Sequence, residues 1–142
     1  MAIRKQEFYE GAAVIRLIHD GHLRTVRYDA PFYVCNDQTL VYLKHSTKNR
    51  SPWSFTFMPH EIAQFRDRAR QHEVVIGLVC GGDGIAALRL DDYLLLTSKY
   101  DTSIHVACYR RHGEHYEISG PDGSLPQKVP PSSWTRILAK SL

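Results

Sequence analysis

Apolar side chains recur along residues 5–20, KQEFYEGAAVIRLIHD, at Phe8, Ala12, Ile15 and Ile18, with a second row at Tyr9, Ala13 and Leu17. Spacings of three and four put each row on one side of a helix. The pattern therefore predicts an amphipathic helix with a wide apolar stripe, stopped by Gly21. Short β-like runs follow, LRTVRYDA, PFYVCN and TLVYLKHS, with Asn36-Asp37-Gln38 as the turn between the second and third. WSFTF alternates aromatic and polar residues with the period of a strand. After Pro59, which suits an early helical position, Ile62, Phe65 and Ala69 return to helical spacing. Val74 to Cys80, VVIGLVC, is apolar without interruption, as a strand buried on both faces would be. Glycines at 81–84 turn the chain into IAALRL, and a short helical turn is expected at Asp91 to Thr97 with Asp91 or Asp92 as its cap. Ile104 to Tyr109 and Tyr116 to Ile118 read as a hairpin around Arg111-His112-Gly113-Glu114, and the proline-rich tail as a wrapping loop before a short last helix.

The order is helix, three strands, helix, strand, then a second β-rich section. It predicts an α/β (α+β) protein with a mixed central sheet, flanking helices and a C-terminal β-hairpin extension. With 142 residues and no repeat, linker or low-complexity tract, the chain reads as a single domain, 1–142. A net charge of +3 permits an anionic partner without requiring one. Cys35, Cys80 and Cys108 are isolated in apolar stretches with no CxxC spacing, which points to a reducing compartment rather than a disulfide framework. With no apolar signal core and no run of the ~18 residues needed to cross a bilayer, the expectation is a cytoplasmic protein.

Chemistry concentrates in VYLKHSTKNRSPW (residues 41–53), where Lys44, His45, Lys48 and Arg50 share one loop with no acidic residue among them. Such a loop can hold phosphate oxygens by charge-assisted hydrogen bonds. Trp53 either stacks on an exposed base or opens its strand into the core. Tyr109-Arg110-Arg111-His112 is a second basic cluster, diluted by Glu114 and Glu117, while Arg66, Arg68 and Arg70 read as a solvated helix face. The pairs His19/His22 and His112/His115 lack third and fourth ligands at zinc spacing. No nucleophile elbow or recognisable triad motif is present, and CGGDG (80–84) lacks the phosphate-loop pattern, so a tight glycine turn accounts for it.

The element order, with a lysine near the end of the third strand, resembles the PD-(D/E)XK nuclease superfamily, above all its small Holliday-junction-resolvase-like members. EGAAVIRLIHDG (10–21) is similar to that family's opening helix, and Asp29 precedes Lys44 by fifteen positions, compatible with its strand aspartate and lysine. YLKHSTK is similar to the end of its acid-x-lysine strand, with Tyr42 where the second acid belongs. The resemblance covers about residues 5–80. It implies a restriction-endonuclease-like core in a nuclease-like domain, with Glu10, Asp29 and Lys44 as catalytic residues. Glu10 and Asp29 would hold Mg²⁺, a cation that favours hard oxygen ligands, to polarise a scissile phosphate. A neutral phenol is a poor Mg²⁺ ligand, so Tyr42 points to impaired or unusual catalysis.

The reading is therefore a DNA- or RNA-binding protein, with Lys48, Arg50, Trp53, His45, Arg110 and Arg111 contacting nucleic acid. The resemblance further implies a homodimer and a setting among bacterial and phage defence or counter-defence factors. Two other readings stay open: an active Mg²⁺-dependent endonuclease, and a small-nucleotide or protein-interaction module. Lys44 can equally be an edge-strand lysine that discourages aggregation.

Overall fold

The computed structural model describes residues 2–99 and 101–139. Its elements are α1 (Lys5–Asp20), β1 (Val26–Asp29), β2 (Phe32–Cys35), β3 (Thr39–Ser46), β4 (Trp53–Phe57), α2 (Pro59–Arg68), β5 (Glu73–Cys80), β6 (Gly84–Arg89), α3 (Leu90–Leu96), β7 (Ile104–Tyr109), β8 (Glu117–Gly120), β9 (Gly123–Ser124) and a 3-10 turn, Pro131–Arg136. Among the described residues no helix is long and apolar enough to cross a membrane.

Two sheets form where one mixed sheet with a hairpin extension is expected. The first has the order β1-β2-β3-β5-β6 and the second β4-β7-β8-β9. β1, β2 and β3 make an antiparallel meander, and β5 lies parallel to β3 after crossing over through α2. β4 departs from this path because its partner is β7, with Trp53 opposite Cys108 and Phe57 opposite Ile104. The alternation of WSFTF gives it one buried face, Trp53, Phe55 and Phe57, and one exposed face. Such a strand suits the wall of a two-sheet core rather than a central position buried on both sides.

Side-chain parity sorts the first sheet into two cores. Phe32, Val34, Leu40, Ile76, Leu78, Ala86 and Leu88 point toward α2, α3 and the second sheet. Cys35, Val41, Val75, Val79 and Ile85 point the other way, toward Ala13 and Leu17 of α1 and Trp134 of the tail. β5 serves both cores, which is why seven consecutive residues, Val74–Cys80, are buried. Cys80 of the first sheet meets Cys108 of the second, Sγ to Sγ at 3.7 Å, as two free buried thiols. The hydrogen bond with Cys108, then burial, raises the Cys80 pKa and keeps it a neutral thiol.

Three expectations are corrected. Of the two apolar rows on α1, only Tyr9, Ala13 and Leu17 face the sheet; Phe8, Ile15 and Ile18 are 62%, 51% and 51% exposed. A helix resting on one flat surface buries one side, however wide its stripe. Arg89 precedes α3 as N-cap, so Asp91 and Asp92 fall in its first turn instead, where negative charge favours the helix N-terminus. Arg68 is not on a solvated face: it pairs with Asp29 at 2.6 Å and lies over the Phe32 ring. The tail wraps the α1 face as expected, although Lys140, Ser141 and Leu142 lie outside the described residues.

Trp134 locks the tail. Its Nε1 donates to the Ala13 carbonyl at 3.0 Å, and its ring lies over Gly77 in the middle of β5. A Cβ at Gly77 would meet Leu43 Cδ2 and Trp134 Cη2 at 2.7 Å each. Gly77→Ala is therefore expected to destabilise the fold by about 1–3 kcal/mol through overpacking. Urea unfolding measures this, and an unchanged midpoint would refute the tight seat assigned to Trp134.

Candidate nucleic-acid interface

The three residues expected to form a catalytic centre occupy separate settings. Glu10 lies on α1, and its Oε1 accepts a hydrogen bond from Tyr33 OH at 2.8 Å. Burial, and then Glu10, push the Tyr33 phenol above its ordinary pKa, so it stays a donor. Asp29 sits opposite Phe32 in the β1–β2 register and so faces the other side of the sheet, where Arg68 pairs with it. The two carboxylates expected to bind Mg²⁺ thus extend to opposite faces of one sheet and do not fit a shared cation. Among the described residues no group of three or more His, Cys, Asp or Glu side chains converges.

Lys44 shares its face with Tyr42, and both reach Glu61 in the first turn of α2. Lys44 Nζ lies 2.8 Å from Glu61 Oε2 and 3.0 Å from Oε1, and it also donates to the Thr56 carbonyl of β4 at 2.8 Å. Tyr42 OH donates to Glu61 Oε2, and the Met58 amide to Oε1 at 3.0 Å. Burial alone would raise the Glu61 carboxyl. The hydrogen bonds from Lys44, Tyr42 and Met58 outweigh it and hold its pKa below the ordinary value. β3 pairs with β2 only as far as Val41, so Lys44 has a strand partner on the β5 side alone, but its ammonium is held by Glu61 rather than turned toward open solvent. The sequence reading missed Glu61. Its signal was present: Pro59 opens α2, and a glutamate at the third helical position is placed to cap the first turn.

The expected phosphate-binding residues divide differently. Trp53 is 2% exposed and sits in the core against Tyr116, so it cannot stack on a base. Its Nε1 donates to the Lys48 carbonyl at 2.9 Å, which makes it an anchor for the loop at 47–52. Gly81 lets that loop pass: at φ +55°, a Cβ there would stand 2.2 Å from the Lys48 carbonyl oxygen. Ser51 Oγ then donates to the Arg110 carbonyl at 3.0 Å, joining the first basic loop to the tip of the β7–β8 hairpin. Two clusters separated by about sixty residues thereby form one rim.

Within the rim, roles differ. Arg110 is committed inward: it pairs with Asp83 at 2.8 Å, donates from Nε to the Glu114 carbonyl at 2.7 Å and lies over the Tyr116 ring. Burial would raise the Asp83 carboxyl, but hydrogen bonds from Tyr116 and Arg110 outweigh it and hold its pKa low. Arg110 is thus a buttress, its guanidinium already engaged by Asp83 and the Glu114 carbonyl. His45 is half-buried, its ring stacked on Tyr9 at 5.1 Å on the α1 side. Lys48, Arg50, Arg111 and His112 are exposed, with Lys48 Nζ donating to the Pro52 carbonyl at 3.1 Å and Arg111 Nε to Tyr109 OH at 3.4 Å. Glu114 faces Lys128 at 3.8 Å.

Glu61→Gln is expected to cost on the order of 2–3 kcal/mol, because it leaves the Lys44 ammonium half-buried without its counter-charge. Since folding depresses the Glu61 pKa, the wild-type advantage is present above the ordinary carboxylate range and is lost as pH falls through the folded value. Urea midpoints of both proteins across the acidic range check this; a difference independent of pH would refute it. Comparison of the chain with protein-family models, with curated proteins and with solved structures returns no match.

Proposed function

We propose that this protein binds nucleic acid through the backbone phosphates, on a PD-(D/E)XK-like core whose catalysis is impaired or unusual. Support for the binding surface rests on one observation, the Ser51–Arg110 hydrogen bond that brings Lys48 and Arg50 alongside Arg111. Exposed cations fixed on two braced loops can track phosphates without reading base edges. Support for the core kinship is the chain path: an opening helix, an antiparallel three-stranded meander, then a helical crossover to a strand parallel to the third. Support for weak or absent chemistry is Tyr42 at the position of the second acid, bonded to Glu61 together with Lys44. The homodimer belongs to the same proposal, on the resemblance alone.

The test is a binding panel of branched, duplex and single-stranded DNA and RNA, with and without Mg²⁺. Each phosphate contact contributes about 0.9 to the slope of log affinity against log salt on duplex DNA. Lys48→Ala/Arg50→Ala/Arg111→Ala is expected to lower duplex affinity at low salt and flatten that slope by about 2–3. Cleavage in Mg²⁺ is expected to be weak or absent. An unaltered slope in the triple variant would overturn the binding surface, and rapid Mg²⁺-dependent cleavage abolished by Lys44→Ala would overturn the assignment of Lys44 to structure.

A further inference from the structure

A groove of about 440 Å³ runs between the end of β6, the outer side of α3 and the tail at 125–137. It lies at the Arg89 end of β6, whereas the basic rim adjoins the Gly84 end, about 16 Å away along an extended strand. Three cationic side chains, Arg89, Lys128 and Arg136, line it against one acid, Asp92. Arg89 pairs with Glu73, and Lys128 only loosely with Glu114 at 3.8 Å. Arg136 is exposed and has no ion-pair or hydrogen-bond partner among the described residues.

Ser133 supplies an independent observation. It lines the same groove, and its Oγ is buried with no hydrogen-bond partner among the described residues. Buried hydroxyls are nearly always paired, because an unpaired one forfeits its hydration without compensation. The remaining wall is aliphatic, chiefly Leu95, Leu125 and Ile137, with Leu95 59% exposed. A concave, largely apolar surface with a few converging polar groups is the common form of a small-ligand site, and the volume falls in the usual range of roughly 300–1,000 Å³.

We propose that this groove binds a small phosphate monoester. A phosphate offers three acceptor oxygens, which can engage the unpartnered Arg136 guanidinium and the loosely paired Lys128 ammonium together, as the two oxygens of a carboxylate do less well. Arg136 and Lys128 hold its oxygens, Ser133 Oγ donates to one of them, and the organic part lies against Leu95, Leu125 and Ile137. The site approaches the nucleic-acid rim only through the Lys128–Glu114 pair and does not depend on that reading.

Isothermal titration with hexyl phosphate, adenosine monophosphate, hexanoate and inorganic phosphate tests it. Saturable binding of at least one ester is expected, at least tenfold tighter than inorganic phosphate or hexanoate. Arg136→Ala is expected to weaken that binding at least tenfold. Ser133→Ala is expected to weaken it severalfold while leaving the unliganded protein as stable as before or more so, which separates loss of a ligand contact from loss of the fold. Lys48→Ala/Arg50→Ala is expected to leave it unchanged. The proposal is overturned if no ester binds saturably, if inorganic phosphate binds as tightly, if Arg136→Ala or Ser133→Ala has no effect, or if the rim variant abolishes binding.

Discussion

The Glu61 carboxylate holds the architecture together at a single point. It rises from the first turn of α2, is nearly enclosed, and accepts hydrogen bonds from Lys44 and Tyr42 of β3. Lys44 in turn donates to the Thr56 carbonyl of β4, a strand of the other sheet. One ion pair therefore ties together both sheets and the crossover helix. A charge placed this deep is tolerated only when its partner and its remaining hydrogen bonds are all in place. Here both carboxylate oxygens are occupied, by an ammonium, a phenol and a backbone amide.

That arrangement also governs what the surface can do. Asp29 with Arg68, Glu61 with Lys44 and Asp83 with Arg110 are interactions between elements, and each consumes a side chain that would otherwise be available for chemistry. What remains exposed is mostly cationic where the loop at 47–52 meets the hairpin tip. The anchors beneath it, Trp53 and Tyr116, are core aromatics, so the rim rests directly on the packed interior.

Side-chain direction explains why Glu10 stands apart from Asp29 and Lys44. A meander followed by a helical crossover places strand residues on alternate faces, and a shift of one position exchanges them. Lys44 and Asp29 face α2, while the α1 side receives Glu10, Tyr33 and His45. The backbone path and the placement of functional groups are thus separable properties.

Periodicity alone determined most of the local structure: α1, the β1–β3 runs, the doubly buried β5 and the β7–β8 hairpin all lie where apolar spacing put them. Spacing of this kind reports which side of an element is apolar, and short-range sterics then set the element itself. It could not report how many apolar rows find a partner, so Phe8, Ile15 and Ile18 read as core although they face outward. Nor could it place WSFTF in a second sheet, because strand partnership depends on contacts as remote as Trp53 with Cys108. The basic character of both loops was legible; that Ser51 joins them, that Arg110 turns inward and that Glu61 claims Lys44 was decided only by tertiary packing. Charge pairing is a matter of distance in space, and distances between residues far apart in the chain exist only once the layers have closed.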